Sequence, residues 1–448
     1  MWAMSDISIA LVIFGLAYLV IITERIHKTI VALCGAALMI GFGVLTQDQA
    51  FYSHEFGVDY NVVFLLIGMM VIVNIIRETG LFEVLAIWTA QRGKAKPFQM
   101  VAMLAVVTAG LSAMLDNVTT VLLMAPVTLA LTKRLDLNPV PFLIIEAVAS
   151  NIGGTATLVG DPPNIMIASK AELGYVDFLF VLGPIVLIIL ACFLGALWLF
   201  WGRTMQVAPH LQNAVLALQP REAVQDPVLL RRCIWLLAVV NLAFCVHGAL
   251  HLEPATIALL GASAFMLIGQ TRNKQDMEDL SYLTDVEWKT IFFFIGLFIL
   301  VGGLVRVGVI RYLAEQLVAL PRGYPGGSMM AVLWGSAVLS SIFDNIPYVA
   351  AMNPLIVDLA RALHPEIVDH TALVHQPDIL PLWWALALGA CLGGNGTLIG
   401  ASANVVVVDL ARRAGHHITF WQFFSVGFPV MLGSIVLSTV YLWLFFVR

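Results

Sequence analysis

Two stretches of this chain place acids and amides where an apolar sequence should not tolerate them. One reads Ser112-Ala113-Met114-Leu115-Asp116-Asn117-Val118-Thr119-Thr120, and it recurs as Ser340-Ser341-Ile342-Phe343-Asp344-Asn345-Ile346-Pro347. A carboxylate in mid-bilayer costs on the order of 3 kcal/mol even on translocon scales, so it persists where it coordinates a cation, carries a proton or caps a helix. Capping can coexist with the other roles. The duplicated Asp-Asn makes Asp116, Asn117, Thr119, Thr120, Asp344 and Asn345 candidates for binding a substrate or ion.

Two further stretches are rich in glycine, amide and hydroxyl. The first is Ser150-Asn151-Ile152-Gly153-Gly154-Thr155-Ala156-Thr157-Leu158-Val159-Gly160-Asp161-Pro162-Pro163-Asn164. Its counterpart is Gly393-Gly394-Asn395-Gly396-Thr397-Leu398-Ile399-Gly400-Ala401-Ser402-Ala403-Asn404. Glycine frees backbone carbonyls from a helix, and Asn151, Thr155, Thr157, Asn164, Asn395, Thr397, Ser402 and Asn404 add uncharged oxygens. With Gly153, Gly154 and Gly394 they suit a dehydrated hard cation or a hydroxyl-bearing solute. Close helix packing would explain the glycines but not the clustered amides and hydroxyls. The halves differ where Asp161-Pro162-Pro163 becomes Ala401-Ser402-Ala403. Asp161, an acid without a counterpart, is the leading candidate for proton coupling, with Asp116 and Asp344 beside it. Glu146 shares that path or is simply a buried, hydrogen-bonded acid.

These residues need a scaffold, and the composition states which kind. Of 448 residues, 60% are hydrophobic and 11% charged, with a mean hydropathy of +0.93. A soluble protein carries about 25% charged residues. The chain is therefore an all-α polytopic membrane protein, its apolar runs matching the roughly 20 residues that cross a bilayer. A net charge of −5 without a basic stripe excludes nucleic acid. The five cysteines show no CxxC or Cys/His spacing, so no metal site is expected. There is no Walker A motif, no Ser/His/Asp set and no His-Glu-x-x-His, and nothing points to an enzyme. Residues 1–6 lack a basic region, so the first apolar run stays as a membrane helix.

The runs 98–131 and 328–360 are too long for one crossing and too short for two, which makes each a re-entrant hairpin broken at its Asp-Asn. Charge supports this. Lys94 and Lys96 precede the first run and Lys133 and Arg134 follow it, so only a hairpin keeps both clusters on the cytoplasmic side. The same assignment puts Arg25, Lys28, Arg203, Arg221, Arg231, Arg232, Arg272, Lys274, Lys289, Arg412 and Arg413 inside, and both termini outside. Gly68 aligns with Gly296, Gly80 with Gly308, and Asp116-Asn117 with Asp344-Asn345 at a constant offset; a larger offset then matches Thr157-Leu158 with Thr397-Leu398 and Gly160 with Gly400. Each half holds about five spans and one hairpin, and an odd number inverts the second half. Inverted repeats with discontinuous helices at a central site are the architecture of secondary transporters. The division is 1–202, a cytoplasmic linker 203–232, and 233–448.

These motifs resemble the ArsB/P-permease branch of the ion transporter superfamily. It includes arsenite efflux permeases and the melanosomal P protein, and is related to NhaD-type sodium/proton antiporters and dicarboxylate/sodium symporters. The resemblance carries Asp116-Asn117-Val118-Thr119-Thr120, Gly153 to Thr157, Asp161 to Asn164 and Gly394 to Asn404, and covers nearly the whole chain. It implies two hairpins meeting broken helices, a homodimer as in many members, and location in the cell (inner) membrane. It also leaves room for a soluble ATPase partner at the linker 203–232. The dicarboxylate symporters carry Ser-Asn-Thr where this chain has Asp-Asn-Val-Thr and Asp-Asn-Ile-Pro. Two acids, with no Lys or Arg in the four broken segments, disfavour a multivalent anion. Arsenite, uncharged arsenous acid near neutral pH, fits better. Proton-coupled arsenite or antimonite efflux is the first expectation, with H+ as coupling ion and no other cofactor. The alternative is sodium/proton antiport through the same residues.

Overall fold

The computed structural model describes residues 2–23, 25–53, 55–201, 207–250, 252–270, 281–319 and 326–447. Arg203, Arg272 and Lys274 lie outside the described residues. Among those described, every regular element is helical. Seven helices are long and apolar enough to cross a membrane, and five shorter apolar helices accompany them.

The first half runs Trp2–Thr23, Lys28–Gly41, Tyr60–Arg77, the hairpin Pro97–Met114 and Asn117–Arg134, the broken helix Val140–Gly154 and Pro162–Ala171, then Tyr175–Trp201. The second runs Pro227–Val246, Pro254–Gln270, Trp288–Arg306, the hairpin Gly327–Ile342 and Asn345–Leu363, the broken helix Leu380–Gly393 and Ser402–Arg413, then Phe420–Leu442. Each half thus carries five spans and one hairpin. The first span of the second half begins at Pro227, capped by Asp226 through the amides of Val228 and Leu229, six residues before the sequence places it.

Both hairpins break for a local reason. The Asp116 carboxylate accepts from the Thr119 amide at 2.8 Å, and the Asp344 carboxylate from the Ile346 amide at 3.1 Å, so each acid caps the arm that follows it. After the third span of each half the chain turns at Gly80 or Gly308, both with φ of +79°, where a side chain would be strained. The turn leads into the short helices Leu81–Arg92 and Val309–Ala319. The linker does not hang free. Gln91 donates to the Leu218 carbonyl at 2.5 Å and the Gln225 amide to the Thr79 carbonyl at 3.2 Å, docking 216–225 on Leu81–Arg92.

The repeats are interleaved rather than set side by side. A Cβ at Gly68 would lie 2.7 Å from the backbone of Ala258, and one at Gly296 would lie 2.7 Å from that of Ala32. The third span of each half therefore packs on the second span of the other, backbone to backbone, as small residues permit in membranes. Gly68→Leu or Gly296→Leu should force these helices apart, visible as a sharp loss of monodisperse protein on size exclusion in detergent.

Candidate functional site

The tips and the two broken helices are tied by one set of bonds made twice. Ser112 Oγ donates to the Ser150 carbonyl at 2.7 Å, and Ser340 Oγ to the Ala390 carbonyl at 2.6 Å. Thr157 Oγ1 donates to the Ala113 carbonyl at 2.6 Å, and Thr397 Oγ1 to the Ser341 carbonyl at 2.5 Å. Asn164 Nδ2 reaches the carbonyls of Gly154, Thr155 and Thr157, while Asn404 Nδ2 reaches those of Gly394 and Thr397. Such bonds satisfy carbonyls that the broken helices release, which non-helical backbone at membrane depth requires. Thr155 Oγ1 likewise donates to the Asn151 carbonyl at 2.7 Å. Thr155, Thr157 and Thr397 thus spend their protons on backbone, leaving only lone pairs for any ligand.

A second set crosses between the halves. Asn117 Nδ2 donates to Asn151 Oδ1 at 3.1 Å, and Asn151 Nδ2 donates to Asn395 Oδ1 and Asn404 Oδ1, each at 3.0 Å. At the position corresponding to Asn151 the second half has Cys391, whose thiol donates to Asn164 Oδ1 at 3.4 Å. Asn345 Nδ2, lacking an amide there, reaches across to Asp161 Oδ2 at 3.4 Å. Asn151→Ala would strand three amide groups in the protein centre. The expected cost is about 2–4 kcal/mol, measured as a lowered midpoint of thermal unfolding in detergent.

Asp161 is fully buried, and its Oδ1 has no hydrogen-bond partner. Asn117 Oδ1 and, one helical turn on, Thr120 Oγ1 are also buried without partners, as is Asn395 Nδ2. Over this layer lies a cavity of about 920 Å³ whose lining includes Asp116, Thr119, Asp344 and Ser402. It opens beside His27, Thr29, Trp288 and Arg412. Glu287, at that mouth, has its carboxyl pushed up by burial and then by nearby Asp116. The opposite face is bridged. Arg361 pairs with Glu55 at 2.8 Å, Ser169 donates to Asp59 at 2.5 Å, and Thr371 donates to Glu172.

Of the residues singled out in the sequence, Asp116, Thr119, Asp344 and Ser402 line the cavity, while Asn117, Thr120, Asn151, Asp161, Asn164, Asn345, Asn395 and Asn404 lie buried in the layer beneath it. Glu146 does not reach the cavity. It is buried between hairpin and broken helix, where Thr128 Oγ1 donates to it at 2.5 Å. The sequence reading missed Lys28, placed there only as a topogenic charge. Its Nζ lies 2.5 Å from Asp344 Oδ2 and 2.7 Å from Ser402 Oγ. The premise that no cation offsets the acids therefore fails at Asp344. Nothing in the neighbouring residues signals this, because the partner comes from another helix. Cys391 was legible in principle, since the repeat offset sets it against Asn151.

Residues 18–389 match the CitMHS citrate transporter family. An uncharacterized transporter of Mycobacterium tuberculosis H37Rv is 46% identical over 437 residues, 97% of this chain and 98% of that protein. The human P protein is 31% identical over 522 aligned residues, covering 98% of this chain and 60% of the P protein. The crystal structure of the Alcanivorax borkumensis YdaH transporter, described as having an unusual topology, superposes with a TM-score of 0.57 over 99% of this chain and 98% of that one. At 13% identity it speaks to the fold alone. A polytopic helical chain, two hairpin tips over broken helices, and a match over most of its length lead to one assignment: this protein is a membrane transporter of the citrate transporter family.

Proposed function

We propose that the chain is a proton-coupled secondary transporter that exports a small neutral oxyacid of the arsenite or antimonite kind across the cell membrane. The observation that carries this reading is Asp161, an acid with one unpartnered oxygen, buried where the repeats meet and replaced by Ala401 in the other repeat. A group that gains a proton on one side and loses it on the other couples cargo to a gradient. The amides and hydroxyls around it suit a neutral triol.

Among the described residues Lys28 pairs with Asp344, and neither Asp116 nor Asp161 forms an ion pair with a lysine or arginine. A fully ionised tricarboxylate would meet repulsion there, and would enter only protonated or as a cation complex. With the basic loops assigned to the cytoplasm, the cavity faces inward and the bridges of Glu55, Asp59 and Glu172 close the outside. That arrangement is one end of an alternating-access cycle.

Sodium/proton antiport is the second reading. It is favoured by Asn117 Oδ1, Thr120 Oγ1 and Asp161 Oδ1, three buried oxygens without partners and of the kind that ligate a hard cation. Proteoliposomes with an imposed pH gradient decide between them, with arsenite, sodium and citrate measured side by side. Arsenite uptake driven by the gradient supports the first reading, and sodium movement without arsenite the second. Citrate movement alone would overturn both.

A further inference from the structure

The two hairpin tips are alike in sequence and unlike in charge balance, and the difference rests on one side chain. At the second tip Lys28 Nζ contacts Asp344 Oδ2 at 2.5 Å and donates to Ser402 Oγ at 2.7 Å, while Ser402 Oγ donates to the same carboxylate oxygen at 2.8 Å. The ammonium also lies 4.8 Å from the centre of the Phe293 ring, a cation–π contact. The pair is shielded, with side-chain exposures of 32% for Lys28 and 13% for Asp344. In the first repeat the corresponding positions are different. Pro254 begins the helix that matches Lys28–Gly41, and Pro162 stands where the second half has Ser402. Asp116 therefore caps its helix with no tethered cation beside it, although it lines the same cavity as Asp344.

We propose that the Lys28 ammonium is a built-in cation for the second hairpin tip, occupying at Asp344 the place a free monovalent cation would otherwise take. The ammonium satisfies three requirements at once. It neutralises the carboxylate, it donates to Ser402 on the broken helix, and it joins the second span of the first repeat to the hairpin of the second. It lies on a long flexible stem, so it follows or releases the tip without leaving the protein. The consequence is asymmetry. A free cation or proton meets an acid without an ion pair at Asp116, and a second one buried beneath the cavity at Asp161, but finds Asp344 already compensated. Lys28 thus sets how many coupling ions the site accepts.

This inference rests on reading the tips as the coupling site, but its test needs no knowledge of the cargo. Purified protein in detergent is melted in choline chloride and in sodium chloride at matched ionic strength, for wild type, Lys28→Met, Asp344→Asn and the double variant. Removing the ammonium alone leaves Asp344 uncompensated. Lys28→Met should therefore gain a sodium-dependent rise in melting temperature of a few degrees over any wild-type response. The double variant should lose that gain, because the carboxylate that would hold sodium is gone. A Lys28→Met protein that survives purification only in sodium reports the same result. An identical sodium response in wild type and Lys28→Met would overturn the proposal. So would a Lys28→Met protein unstable in both salts beside a stable double variant, because a free cation then cannot replace the ammonium. Loss of proton-driven transport in proteoliposomes bears on the proposed function, and the melting comparison stands apart from it.

Discussion

Asp161→Asn is expected to reduce gradient-driven transport by about a hundredfold or more while leaving the melting temperature close to wild type. The substitution keeps the shape of the side chain and an oxygen to accept from Asn345 Nδ2, now at 3.4 Å. It removes only the ability to take and release a proton. Positioned proton transfer is worth on the order of 10² to 10⁴ in rate where it is tied to the limiting step. A buried carboxylate with one oxygen unpartnered contributes nothing to stability that an amide would not match. The measurement is initial uptake in proteoliposomes under an imposed pH gradient, with thermal unfolding of the same preparation. Asp116→Asn and Asp344→Asn should each depress transport too, with some loss of stability, since both carboxylates also cap helices. Full activity in all three variants would remove both the proton-carrier and the cation-ligand roles.

The second large effect is structural. Gly153→Val is expected to prevent assembly of the first hairpin on its broken helix. A Cβ at Gly153 would run into the Ala109 carbonyl oxygen, with the Ala109 Cα only 2.5 Å away. The obstacle is backbone rather than a movable side chain. Its relief requires pulling Pro97–Met114 off Val140–Gly154, a loss of several kcal/mol through overpacking and broken tip contacts. The inverted twin, Gly393→Val, meets the Ala337 carbonyl at 2.7 Å and should behave alike. Gly110→Ala is the control, because a Cβ there meets nothing within 4 Å. Yield of monodisperse protein on size exclusion separates these outcomes: near wild-type recovery for Gly110→Ala, little or none for Gly153→Val and Gly393→Val. Normal recovery of Gly153→Val would mean that the tight packing of hairpin on broken helix is not needed.

Much of this architecture is legible in the linear chain, for a physical reason. Apolar run length reports bilayer crossing, because each span must bury its own backbone hydrogen bonds. Polar clusters inside those runs report broken helices, because they persist only where protein or a cavity satisfies them. The repeat offsets that pair Gly80 with Gly308 and Asp116 with Asp344 come from two copies of one local plan, and the matching φ of +79° at both glycines expresses it. What a residue touches across the molecule has no such local signature. The interleaving of Gly68 with Ala258 and Gly296 with Ala32, and the bridge from Asn151 to Asn404, depend on how whole helices pack. Lys28 shows the limit most clearly. In sequence it is a charge after the first span, like Arg25. In the folded protein it meets Asp344, 316 positions away, and changes the charge of the site. Spacing determined where acids, amides and broken helices fall along the chain. The tertiary structure alone decided which of those acids is compensated, because a charge pair depends on distance in space and carries no period in sequence.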